Sequence, residues 1–286
     1  MGWNEMVVER LLKLAAELGA CNVWIAGGMK PRVTVNTKIM ELDYPDISEE
    51  EAEKILLDIM DDSQQESYRK NKSVDFVLDI KSAGRFRIHI YERMGYPAGC
   101  IRVITPFSDF KGDDEQLKKL CREEQGIIVI AGRQGSGKTT TLAMMAEMIV
   151  SERPVHLMTL EQPIEQKIPD GQGIVSRREI GRDTADYSCA LTDIMHEAVD
   201  VLAIGELNSP QAAYTAVQAA KMGCLVLTTM NSANAQTVKK QFSNILRQSR
   251  NLFDSDDLKL IKAVVYQRLS YGQSKDDVKA EREIIR

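Results

Sequence analysis

Four short apolar runs, at 127–131, 155–160, 201–204 and 225–229, stand out from the polar background of the chain's second half. None of them alternates strictly between apolar and polar positions. A strand with one wet face alternates with period two, so unbroken runs of this length predict strands covered on both faces, as in a parallel sheet. Stretches with helical spacing lie between them, notably at 139–150, 183–197 and 210–222. Strand–helix alternation of this kind predicts a doubly wound α/β domain. The first third has another rhythm. Apolar positions recur at helical spacing over 7–18, and Ser48 followed by Glu51 forms a capping box for a helix carrying Ala52, Ile55, Leu56 and Ile59. The runs 74–80, 86–91 and 99–104 read as strands, which gives a mixed α+β domain. The polar stretch 106–114, with its Lys111-Gly112-Asp113-Asp114 turn, reads as a linker. The predicted division is 1–105, a linker at 106–114, and 115–286.

Composition narrows the picture without changing it. The length of 286 residues suits two domains, and 43% apolar with 28% charged residues is ordinary for a globular protein. A net charge of −5, with lysine and arginine dispersed along the chain, argues against a nucleic-acid partner, since phosphate binding leaves a basic face. The most apolar run, 126–132, is far shorter than the roughly 20 residues that cross a bilayer. The first residues are acidic where a secretory signal would be basic and then apolar. The five cysteines include no CxxC pair, which fits reduced thiols used as small core residues. The expectation is a cytoplasmic protein.

Candidate chemistry begins at Gly132-Arg133-Gln134-Gly135-Ser136-Gly137-Lys138-Thr139, which fits the pattern G-x-x-x-x-G-K-[ST] in full. An apolar β-run precedes it and a helical pattern follows, which is the strand–loop–helix setting that a phosphate-binding loop requires. Its glycines let backbone N–H groups curl around phosphates at the positive end of the next helix. Lys138 would reach the β- and γ-phosphates, Thr139 would give its hydroxyl to Mg²⁺, and Thr140 follows in the same first turn. Such a loop needs carboxylates on neighbouring strands. One apolar run ends in Gly205-Glu206, and another ends in Glu161 ahead of Gln162-Pro163. Carboxylates at the C-terminal ends of parallel strands face the ligand crevice of such sheets. Glu161 and Glu206 are therefore the candidate catalytic residues, and Thr139 and Glu206 the candidate metal ligands. ATP and Mg²⁺ are the expected ligands.

From Asn22 onward the chain resembles the PilT/GspE-type secretion ATPases, and most closely their pilus-retraction (twitching motility) branch. The phosphate loop matches the family's Walker A. The family's Asp box, T-I-E-D-P-I-E, aligns with Thr159-Leu160-Glu161-Gln162-Pro163-Ile164-Glu165. A segment of the form R-E-V-G-R-D-T aligns with Arg178-Glu179-Ile180-Gly181-Arg182-Asp183-Thr184. Walker B aligns with 200–206 and the His box, G-H-L-V-x-x-T-L-H-T, with 223–232. G-R-F-R-V aligns with Gly84-Arg85-Phe86-Arg87-Ile88, and a later family arginine falls on Arg102. The resemblance implies a PAS-like N-terminal domain, a RecA-like motor domain and a hexameric ring, working at an inner-membrane platform protein from the cytoplasmic face. It implies that Arg87 and Arg102 approach bound nucleotide, and that closure of the two domains supplies the mechanical stroke.

The departures are as specific as the matches. The Asp-box aspartate is Gln162, the His-box histidine is Asn231, and the histidine after its glycine is Cys224. Walker B continues as Leu207-Asn208-Ser209 where the family has Met-Arg-Asp, and two family arginines are Thr192 and His196. Near Arg93 a family arginine is displaced, with Met94 beside it. The sequence ends at Arg286, shortly after Val265-Tyr266-Gln267-Arg268-Leu269, ahead of the family's helical C-terminal extension. These changes remove charge where a γ-phosphate would be handled and leave the phosphate cradle whole. The main expectation is a motor ATPase that couples ATP hydrolysis to pilus retraction or filament dynamics. Two alternatives stand beside it: a hydrolysis-impaired auxiliary subunit in a mixed ring with an intact paralogue, and a nucleic-acid-linked P-loop ATPase.

Overall fold

In the computed structural model, which describes residues 3–35, 38–107, 114–249, 254–271 and 278–286, the chain divides into two units, Met1–Thr105 and Pro106–Arg286. Most of the expected linker, 108–113, lies outside the described residues. Its flanks belong to the second unit. Phe107 is buried in that unit's core and its N–H donates to Gln166 Oε1 at 3.3 Å.

The first unit is a PAS-like antiparallel sheet with helices on one face. Strands β1 (Asn22–Ile25), β2 (Arg32–Val35), β3 (Lys38–Glu41), β4 (Ser73–Ile80), β5 (Gly84–Arg93) and β6 (Tyr96–Ile104) run in the order β3-β2-β1-β6-β5-β4. On β5, Phe86, Ile88 and Ile90 are buried while Arg85, Arg87 and His89 take the other face. The buried set packs with Leu11 and Leu12 of α1 (Trp3–Glu17) and with Ala52 and Leu56 of α2 (Glu49–Asp58). The predicted capping box is present, with Ser48 N–H donating to Glu51 Oε2 at 2.9 Å and Glu51 N–H donating to Ser48 Oγ at 3.2 Å. A second box, Asp61 with Gln64, opens α3 (Asp62–Asn71), which hydrophobic pattern alone does not indicate.

The second unit is RecA-like. It contains α4 (Glu115–Cys121), β7 (Gly126–Gly132), α5 (Lys138–Glu152), β8 (His156–Glu161), β9 (Ile174–Glu179), α6 (Tyr187–His196) and β10 (Val201–Ile204). It continues with α7 (Pro210–Lys221), β11 (Leu225–Asn231), α8 (Val238–Gln248), β12 (Ile261–Tyr271) and β13 (Val278–Ile285). The strand order is β13-β12-β7-β11-β10-β8-β9, with all neighbours parallel except the β12–β13 hairpin. The unbroken apolar runs are covered on both sides, as expected. On β7, Ile127 and Val129 face a core shared with α6, α7 and α8, while Ile128 and Ile130 face one shared with α4 and α5. Each such side chain contributes about 1.5–3 kcal/mol on burial. Displacing the strand that carries the phosphate loop would thus forfeit an amount comparable to a domain's whole net stability, about 5–15 kcal/mol.

One helix starts later than its pattern suggests. The stretch 183–197 is helical only from Tyr187, because Asp186 caps it: one carboxylate oxygen accepts from Ser188 N–H and Cys189 N–H, each at 2.8 Å. Gly181, at φ 89°, turns the chain between β9 and this cap.

Candidate functional site

The loop 132–139 joins the end of β7 to the start of α5, at the C-terminal edge of the parallel strands. Helix α5 has no side-chain cap; its N-cap is Gly137, at φ 80°. Four N–H groups at a helix start have no partner within the helix. An uncapped start leaves them, and the positive end of the helix dipole, for an anion. A side chain at Gly132 would begin 2.4 Å from the Gln267 carbonyl oxygen and 2.5 Å from Ser136 Oγ, so only glycine lets the loop lie this close to β12. Ser136 Oγ is buried there without a hydrogen-bond partner. Its N–H donates to the Arg133 carbonyl at 3.2 Å within the loop. Arg133, Gln134 and Gly135 form the exposed crest, and Thr139 and Thr140 are half-buried on the first turn of α5. These residues fit a nucleotide's phosphates with Mg²⁺.

Lys138 is buried, at 9% exposure, and its ammonium donates to the Arg133 carbonyl at 2.9 Å and to Asn231 Oδ1 at 2.8 Å. Asn231 in turn donates from Nδ2 to Glu206 Oε1. The register explains how Asn231 reaches both. It is the last residue of β11, directly opposite Gly132, and Ser232 N–H donates to the Gly132 carbonyl at 3.1 Å. The amide at the His-box position thus bridges the Walker A lysine and the Walker B glutamate. An ammonium can only donate and a carboxylate can only accept, so the amide's orientation between them is fixed.

Glu161 ends β8, is buried, and packs against Gly205: a side chain built there would begin 3.1 Å from Glu161 Cγ. That contact sets Glu161 beside the residue that precedes Glu206. Tyr187, the first residue of α6, is held above the usual phenol range chiefly by burial and further by the charges of Glu206 and Glu161. Its hydroxyl therefore keeps its proton. Gln162 precedes a cis peptide bond to Pro163 and is exposed, near Gly181. Arg178, from the R-E-I-G-R-D-T segment, ties β9 to α6 through Asp193 and through Glu197 at 2.5 Å. Thr192 and His196 are exposed on α6. The thiol of Cys224 is buried, donates to the Val199 carbonyl at 3.1 Å, and is pushed up to about 11 by burial. It is a core residue behind the site.

Arg87 and Arg102 belong to the first unit, where they are directly opposed on β5 and β6. Arg87 Nε lies 3.5 Å from Asp75 Oδ1, and His89 Nδ1 lies 3.2 Å from Asp75 Oδ2, so Asp75 tempers a basic face. Met94 and Gly95, at φ 54° and 89°, form the two-residue turn between these strands.

Sequence reasoning overlooked Tyr187 and Gln267. Tyr187 follows an Asp186 cap that marks a helix start at the carboxylates. Gln267 is a polar residue inside an apolar run, buried to 1% exposure.

A family model described as Type II/IV secretion system protein matches residues 104–279. The chain is 32% identical over 269 residues to the type IV pilus ATPase PilU of Pseudomonas aeruginosa, covering 92% of this chain and 70% of that protein. It is 27% identical over 233 residues to the type IV pilus retractation ATPase PilT of the same organism, covering 80% and 68%. Among solved structures, the pilus retraction motor PilT with bound ADP superposes with a TM-score of 0.80 at 27% identity, over all of this chain and 83% of that one. The Legionella pneumophila ATPase DotB, at 19% identity and a TM-score of 0.75, over 98% of this chain and 80% of that one, shares the fold.

Proposed function

The chain belongs to the type II/IV secretion system protein family, and from that premise we propose that it is an ATP-binding motor ATPase of the type IV pilus and type II secretion group, coupling ATP hydrolysis to pilus retraction or filament dynamics. The observation that carries this reading is the uncapped start of α5 with Lys138 linked through Asn231 to Glu206. Lys138 holds the β- and γ-phosphates, and the N–H groups of Gly135, Gly137, Lys138, Thr139 and Thr140 wrap them. Thr139, with Glu206, holds Mg²⁺, whose charge would neutralise the phosphate oxygens. Glu206 orients the attacking water and takes its proton, with Glu161 in support. Asn231 holds Lys138 and Glu206 in register. For Arg87 and Arg102 a nucleotide role rests on the family resemblance alone.

In this reading the protein works as a homo-oligomeric ring, a hexamer as the family resemblance implies, on the cytoplasmic face of the membrane against a platform protein. No helix among the described residues is long and apolar enough to cross a membrane. A second reading, an auxiliary subunit in a ring with an intact paralogue, is favoured by Gln162 and Asn231, which remove two titratable groups from the hydrolytic end. The test of nucleotide binding is calorimetry with ATP–Mg²⁺ and ADP–Mg²⁺ on the wild type and Lys138→Ala. Loss of binding in a folded variant supports the site, and unchanged affinity contradicts it.

A further inference from the structure

A hydrogen-bonded chain, half-buried at Asp114 and Arg282 and buried at Gln267, runs from the entrance of the second unit to the phosphate loop. Gln267, on β12, donates from Nε2 to the Ser136 carbonyl at 2.5 Å. Its Oε1 accepts from the Thr141 hydroxyl at 2.7 Å and from Arg282 Nε at 3.0 Å. Arg282, on β13, also donates to Asp114 Oδ2 at 2.9 Å, and its remaining nitrogen lies 3.4 Å from Thr141 Oγ1. The other oxygen of Asp114 caps α4, accepting from Gln116 N–H at 3.0 Å and Leu117 N–H at 3.2 Å. Every partner is thereby fixed from a second direction.

The geometry of the peptide group gives this chain a consequence. The carbonyl and N–H of a trans peptide point in opposite directions. Holding the Ser136 carbonyl against Gln267 turns the Gly137 N–H to the side of the loop away from β12. A guanidinium only donates, so Arg282 obliges Gln267 to present its oxygen to the arginine and its NH₂ to Ser136. Without that cation the side-chain amide could turn over and set an oxygen against the carbonyl. We propose that Gln267 is a positioning residue that aims the Gly137 N–H at a nucleotide phosphate, with its own orientation set by the Arg282–Asp114 ion pair. This deepens, and rests on, the reading that 132–139 binds nucleotide.

The test measures ADP–Mg²⁺ affinity by calorimetry, with thermal melting alongside, for the wild type, Gln267→Glu, Arg282→Met and Arg282→Lys. Gln267→Glu keeps the volume and both acceptor contacts but faces Ser136 with an oxygen, so affinity falls about tenfold, as for one buried hydrogen bond replaced by a repulsive contact. Arg282→Met weakens binding about threefold because the amide is free to turn, and Arg282→Lys, still a donor-only cation, restores it. A folded Gln267→Glu protein that binds ADP like the wild type would overturn the proposal. Should that variant not fold, equal affinities in Arg282→Met and Arg282→Lys would overturn it. A wild type that binds no ADP would overturn the nucleotide reading itself, and would be recognised because Lys138→Ala then changes nothing.

Discussion

The phosphate loop and the carboxylate rim lie at one edge of one sheet, yet they are built from different materials. The loop acts through backbone: N–H groups at an uncapped helix start, glycines at φ 76° and 80°, and a strand buried on both faces. The rim acts through side chains at strand ends, and two of its positions, Gln162 and Asn231, are exposed. A change in the loop disturbs the core that shapes it, whereas a change at an exposed strand end is usually within about 0.5 kcal/mol of neutral for stability. Gln162 and Asn231 fall in the second class, and the loop keeps its full pattern. On the proposed function, affinity and turnover are thus separable, and turnover has the looser structural constraint.

The comparison can be broken at either end. The largest effect is expected at the rim, where Glu206→Gln lowers kcat by about 10²–10⁴-fold, the range for a positioned base, with ATP affinity changed far less. Steady-state kinetics beside calorimetry checks this, and wild-type turnover would transfer the role to Glu161. At the loop, Lys138→Ala weakens ADP by on the order of a hundredfold, as for charge-assisted hydrogen bonds. Gly132→Ala sharpens the contrast, because its methyl group meets the Gln267 carbonyl oxygen at 2.4 Å. Overpacking of this kind costs about 1–3 kcal/mol, so melting temperature and affinity fall together. A variant with lowered affinity and unchanged stability would show that the loop is not braced by β12.

The sheet was legible in advance because its central strands are continuous apolar runs, and only burial on both faces calls for that. The loop was legible because its glycines and lysine have few other uses at that spacing. Less could be read where function depends on register. Asn231 reads as a lost histidine, and only its position opposite Gly132 makes it a bridge between Lys138 and Glu206. Gln267 and Arg282 lie 131 and 146 positions beyond Ser136, the loop residue they brace, so no local pattern joins them. The short strands β1 to β3, four residues each, give too few periods to read. The start of α6 was misjudged because helical spacing continues through the turn that Asp186 ends.

On the proposed function the cradle is whole, while the changes at the rim slow the chemical step. The double variant Gln162→Asp with Asn231→His tests it most directly, with kcat and ATP affinity measured on the same preparation. A neutral imidazole can accept from Lys138 and donate to Glu206 as the amide does, and unlike the amide it can also take up a proton near neutral pH. Aspartate restores a negative charge beside the metal-binding edge. The expected result is a kcat raised about tenfold, the return of roughly 1.4 kcal/mol of transition-state stabilisation, with ATP affinity unchanged within about twofold. A double variant no faster than the wild type would contradict the account and leave Gln162 and Asn231 as neutral changes in a working motor.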